Sequence, residues 1–134
     1  MQFTDDEWLA FAIKLQQATL RGLLRWTGSD HLFDPDTKRG YTTTVAGNAT
    51  YRLRTKDGDE QFPYILTVGE PDGAKLADFT TVPYGDDWEQ STDARASQII
   101  AELYPYVQRA VTGAPQKAKS LLDGLDGLIG EDPF

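Results

Sequence analysis

The segment "DHLFDPD" (residues 30–36) holds the single histidine of the chain among three aspartates. Those residue types can bind a metal or move protons, so their spacing is the first thing to test. A helix–loop–helix calcium site wants oxygen ligands at loop positions 1, 3 and 5, glycine at 6 and glutamate at 12. Counted from Asp34, Asp36 meets the third position, but Lys38, Arg39 and Val45 fall at the fifth, sixth and twelfth. That register fails. A transition-metal site needs two or three further nitrogen or carboxylate ligands beside the one histidine. Asp30, His31 and Asp34 are the weak set on offer, at a spacing common by chance. The simpler reading is a polar turn, with Asp30 and Asp34 as turn residues, Pro35 setting the bend, and Leu32 and Phe33 tucked into the core.

Other chemistries find less support. There is no cysteine, which excludes disulfides, thiolate metal sites and a thiolate nucleophile. Ser29, Ser91, Ser97 and Ser120 lie in no G-x-S-x-G elbow. Gly69, Gly73 and Gly85 follow neither the phosphate-loop nor the dinucleotide spacing. Carboxylates cluster at Asp57, Asp59 and Glu60 and at Asp86 and Asp87, but in turn contexts where solvated acids are expected. Acid/base work needs one carboxyl raised by an apolar pocket. Trp88, flanked by acids, reads either as a partner anchor or, more simply, as a staple at a helix entrance. Tyr64, Tyr84, Tyr104 and Tyr106 read as tyrosines at the rim of the core rather than a ligand cage. The expectation is a protein without catalytic residues or cofactor, and not an enzyme.

A chain of 134 residues suits one domain that buries roughly two-thirds of its unfolded surface. The net charge of −8 repels phosphate backbones, and the basic residues alternate with acids, as in "RLRTKDGDE" (52–60). Nucleic acid is therefore not expected as a partner, whereas a basic protein is a compatible one. The opening "MQFTDDEW" lacks the basic-then-apolar order of a signal peptide. The apolar region 8–26 is broken by Lys14, Gln16, Gln17, Arg21 and Arg25, which is incompatible with a membrane span. A soluble cytoplasmic location is expected.

The elements that carry these residues follow from periodicity and punctuation. Thr4 and Glu7 form a capping box ahead of a helical pattern that runs through 4–26, with Gly28 as its stop. Trp8, Phe11, Ala12, Leu15, Ala18 and Trp26 define one apolar face of it. Leu9, Ile13, Leu20 and Leu24 define a second, which predicts partial burial together with contact to another copy of the chain. From residue 41 the period becomes that of strands: "YTTTVAGNATYRLRT", "FPYILTVGE" and "AKLADFTTV", separated by Gly47-Asn48, "KDGDEQ" and "PDG" turns. This predicts an antiparallel meander of three to four strands. Ser91 or Asp93 then caps a helix with Ala96, Ile99, Ile100, Leu103, Val107, Ala110 and Val111 inward. Pro105 within it predicts a kink or split near Tyr104. Beyond "GAP" (113–115), Leu121, Leu122, Leu125, Leu128 and Ile129 are helically spaced but interrupted by Gly124, Gly127 and Gly130. Each internal glycine costs about 1 kcal/mol against alanine, so this predicts a marginal helix that needs a docking partner, followed by a frayed tail.

The succession "LLRW", "FDPDTKRGYTTTVAGNATYRLR", "YILTVGEPDGAKLADF" and "IIAELYPYVQRAV" resembles a group of small uncharacterised bacterial α+β proteins. In those, a tryptophan-ended helix leads to a short meander with a Y-x-L-x-V/I strand and turn, closed by a helix of the L-Y-x-x-A/V-x-R type. The matching positions are Trp26, Phe33, Tyr64, Leu66, Val68, Gly73, Leu103, Tyr104, Val107 and Arg109, over roughly residues 20–112, and Pro105 departs from the pattern. The resemblance implies an α+β fold and carries no activity across.

The combined expectation is a two-layer α+β fold. An N-terminal helix is followed by the meander, and C-terminal helices pack on its sheet. Residues 1–112 form a single domain and residues 113–134 a marginal helix and tail. Functionally it predicts contact with a protein partner or with a second copy as a homodimer, including the role of an acidic inhibitor or immunity-type partner of a basic protein. Leu9, Ile13, Leu20, Leu24 and Trp88 are the candidate contact residues. The rival reading is a small-molecule or metal-dependent binding protein or hydrolase built on the His31 region.

Overall fold

The computed structural model describes residues 1–29, 40–57, 61–83 and 91–130. Helix α1 (Asp5–Leu20) begins where the capping box requires. The Glu7 amide donates to Thr4 Oγ1 at 3.2 Å and the Thr4 amide donates to Glu7 Oε1 at 2.9 Å. Its end differs from the expectation. Arg21 is the C-cap and Gly22 adopts φ 72°. The Gly22 amide donates to the Thr19 carbonyl and the Leu23 amide to the Ala18 carbonyl, the paired bonds of a Schellman motif. The helix thus stops six residues before Trp26, although apolar residues continue past it.

The released chain enters β1 (Thr27–Ser29), followed by β2 (Gly40–Val45), β3 (Ala49–Thr55), β4 (Tyr64–Gly69) and β5 (Lys75–Thr80). All neighbours pair antiparallel in the order β1-β2-β3-β4-β5. The meander therefore has five strands rather than three or four. The additional strand is three residues long, too short to show alternation, and lies along β2. Gly28 lets it pass the end of the second helix, because a Cβ there would lie 3.3 Å from Val111 Cγ1. The β2–β3 turn uses Gly47 at φ 73°. In the β4–β5 turn Gly73 has φ 95° and the Ala74 amide donates to Asp72 Oδ1.

Helix α2 (Thr92–Val111) follows, with Ser91 as N-cap accepting from the Ala94 amide, then α3 (Ala114–Gly130). Pro105 does not split α2, which runs unbroken across it. The proline removes one helical hydrogen bond, but Leu103, Tyr104 and Val107 on both sides of it are buried and hold the two turns to the same surface.

Strand alternation sorts the sheet into two faces. Tyr41, Leu53, Leu66 and Phe79 form one cross-strand row, and Thr43, Tyr51, Val68 and Ala77 the next. Onto this face pack Trp8, Ala12 and Leu15 from α1 and Ala96, Ile100, Leu103, Tyr104 and Val107 from α2. Aromatic contacts bind the layers: Trp8 to Phe79 at 5.4 Å between centroids, Phe11 to Tyr51 at 6.2 Å, and Tyr104 stacked on Tyr64 at 4.6 Å. The result is the two-layer α+β architecture, with α1 and α2 as one layer and the sheet as the other. None of the described helices is long and apolar enough to cross a membrane.

Candidate functional site

Buried polar side chains are the first place to look for chemistry, and those described here are engaged in holding the fold. Ser97 is buried, donates to the Asp93 carbonyl at 2.7 Å and accepts from the Val82 amide at 2.9 Å, tying α2 to the chain leaving β5. Thr19 accepts from Trp26 Nε1 at 3.0 Å, which anchors the chain after α1 back onto that helix. Thr43 donates to the Arg25 carbonyl at 2.9 Å. Thr81 accepts from the Tyr64 amide at 2.9 Å. Ser91 is the cap of α2. The hydroxyls of Ser97, Thr19, Thr43 and Thr81 join separate segments of the chain, and that of Ser91 closes the start of α2.

The second sheet face carries the most polar cluster. Thr42, Arg52, Thr67 and Asp78 lie in one cross-strand row, with Arg54, Ile65 and Thr80 in the next. Thr67 Oγ1 donates to Asp78 Oδ1 at 2.6 Å and Lys75 Nζ to Asp78 Oδ2 at 3.0 Å. Partial burial pushes the Asp78 carboxyl up, but Thr67, Lys75 and the nearby Arg54 outweigh it and hold the group below its ordinary value. A carboxylate so stabilised is a poor general base. Burial lowers the Arg52 guanidinium, as does its neighbour Arg54, and Asp78 opposes both. Arginine remains cationic throughout the working pH range. The row ties β4 to β5 through Thr67 and Asp78, and Arg52 on β3 brings an opposite charge to the same row.

The aromatic candidates separate. Tyr104 has no exposed surface and contacts Tyr41 at 5.5 Å as well as Tyr64, so it lies in the core itself and not at its rim. Tyr64 is half-buried and Tyr106 exposed. Burial raises the Tyr51 hydroxyl.

The expected contact residues of the first helix separate. Leu9 and Leu24 pack against the core and Ile13 is half-buried, whereas Leu20 is 57% exposed at the end of α1. Trp88 lies outside the described residues, as do Asp30, His31, Asp34, Leu32, Phe33 and Tyr84. Among the described residues no three His, Cys, Asp or Glu side chains gather closely enough to hold a metal ion.

Among the described residues, five of the eleven exposed large hydrophobic side chains stand on α3. Gly113 at φ 74° turns the chain out of α2, and the Lys117 amide donates to the Gly113 carbonyl at 2.9 Å as α3 begins. Pro115 sits in the first turn, where its missing amide is harmless. None of its residues is buried. Leu121, Leu122, Leu125, Leu128 and Ile129 are 54–70% exposed. At 100° per residue they and Ala118 share an arc of about 120°, the width of a face built to be covered. Their helical spacing is readable in the sequence, where it marks a helix in need of docking. That the whole face stays outside this fold is visible only in three dimensions.

In comparisons with known proteins the chain matches no family model, no curated protein and no solved structure.

Proposed function

We propose that this protein acts by contact with other proteins and not by catalysis, as an acidic inhibitor or immunity-type partner of a basic protein, and that it self-associates. The observation that carries the reading is α3, a 17-residue helix whose five large apolar side chains are all more than half exposed. Single exposed leucines are ordinary on a surface, whereas a contiguous face of them marks an interaction site. The net charge of −8 supports a basic partner, since complementary potential accelerates encounter and selects against acidic competitors.

The test is parallel co-purification of the wild-type chain and a Leu121→Ser/Leu125→Ser/Leu128→Ser variant from the source cells. The expected result is a basic protein retained by the wild type and lost by the variant. A partner held equally by both removes α3 as the contact surface, and the absence of any basic partner removes the inhibitor reading.

A further inference from the structure

We infer that the occupant of the α3 stripe is α3 of a second copy of this chain, packed antiparallel with the two helices crossing near residues 122 and 123. This rests on the self-association in the reading above and names its contact and geometry; the basic protein is then met by the dimer that this contact forms. Ala118, Leu121, Leu125 and Leu128 advance by three, four and three residues, the seam spacing that lets two helices interlock side chains. Leu122 and Ile129 widen the seam on one side.

The orientation comes from charge. Lys119 and Asp126 are seven residues apart, two helical turns, so both stand along the same edge of the stripe. In an antiparallel pair, like edges face each other. A two-fold axis midway between residues 119 and 126 therefore sets Lys119 of one copy opposite Asp126 of the other, twice. That axis coincides with the middle of the helix, Ala114–Gly130, so the full apolar length overlaps when the charges match. On the opposite edge Lys117 is the nearest charge, and its counterpart in the second copy is near Leu128, so no like charges meet. Asp123 lies on the outer side and faces water. A parallel pair brings unlike edges together and loses both Lys119–Asp126 contacts. Rim pairs of this kind contribute little affinity and serve mainly to fix register. The apolar seam supplies the attraction.

The experiment combines light scattering with cross-linking on the full chain, which is suited to it because it contains no cysteine. The wild type at about 100 μM should show twice the 14.9 kDa monomer mass. Leu125→Asp should be monomeric, with any loss of helical ellipticity no greater than α3 accounts for and with the core unfolding at the urea midpoint of dilute wild type, because Leu125 is not buried in the monomer. Lys119→Glu and Asp126→Lys should each weaken the dimer about tenfold, and mixing the two should restore it, since the mixed pair regains both opposite-charge contacts. Lys119→Cys mixed with Asp126→Cys should form a disulfide faster than either variant alone. A wild type that stays at 14.9 kDa overturns the inference, while the basic-partner reading still stands or falls by co-purification. A dimer that Leu125→Asp leaves intact places the interface elsewhere and also overturns it. Equal cross-linking of all three cysteine samples overturns the antiparallel register.

Discussion

α2 and α3 follow one another with only Thr112 and Gly113 between them, and both carry an apolar face at helical spacing. α2 buries Ala94, Ala96, Ser97, Ile100, Leu103, Tyr104 and Val107, and α3 buries nothing. The difference lies in what the helices meet. α2 lies on the sheet, where Tyr104 stacks on Tyr64 and the small side chains of Ala96 and Ser97 are fully enclosed. α3 departs at Gly113 and meets the remainder of the fold chiefly through the end of α2. It also carries Gly124 and Gly127 within its length, with no neighbouring atom that a Cβ would touch. Tertiary packing excuses a helix from its propensity. α2 has that packing for Pro105, and α3 has two weak positions with none from this chain. Amphipathic spacing identifies which face of a helix is to be covered and is silent on what covers it.

The sharpest way to break the comparison is to remove one large side chain from each helix. Tyr104→Ala should cost about 4 kcal/mol of unfolding free energy, in the range for deleting a buried aromatic ring. Leu125→Ala should cost less than about 0.5 kcal/mol in dilute solution, as an exposed substitution does. Urea denaturation of both variants at low concentration measures the contrast. If Leu125→Ala matches Tyr104→Ala, α3 is docked within the monomer.

Next in size are changes that alter local helix stability. Gly124→Ala and Gly127→Ala should each favour α3 by about 1 kcal/mol, read as increased helical ellipticity, while the urea midpoint of the core stays in place. Ser91→Ala should do the reverse for α2. Losing the cap costs about 1 kcal/mol and, because α2 belongs to the core, should lower the global midpoint. A global response to the α3 glycines would erase the distinction between the helices.

The smallest effect concerns the sheet that gives α2 its partner. The carboxyl of Asp78 is held below its ordinary value by Thr67, Lys75 and Arg54 against the opposing effect of burial. A depressed carboxyl contributes stability above its unfolded value of about 4 and loses it as pH falls through the folded value. Asp78→Asn should therefore soften the acid limb of the thermal midpoint between neutral pH and about pH 3, with wild type and variant converging at the acid end. An identical slope in both proteins would show that Asp78 contributes nothing to the acid response.

Local signals were the legible ones. Thr4 and Glu7 announced α1 and make both bonds of the box. Gly47-Asn48 and Asp72-Gly73 stand at the turns they predict, and the apolar spacing of α2 yields most of its buried face. Of the departures, the end of α1 is local and the other two depend on distant partners. The apolar run Leu20, Leu23, Leu24 and Trp26 looks helical, yet Gly22 ends α1 and Thr19 draws the Trp26 indole back onto it. β1 is too brief to have a period and exists through its pairing with β2. Pro105 reads as a break, and α2 overrides it through burial on both sides. The candidate surface follows the same division. The leucine spacing of α3 is written in the sequence, whereas its exposure depends on where Gly113 sends the helix.

The central claim is that α3 presents a contact face that a second molecule covers, and hydrogen exchange of the full chain against protein concentration tests it most directly. Amides of α2 should exchange slowly at every concentration, while those of residues 121–129 should exchange rapidly in dilute protein and slow progressively as concentration rises. Contradiction would take either of two forms. Residues 121–129 would be as protected as α2 in the most dilute sample, or would remain unprotected at every concentration.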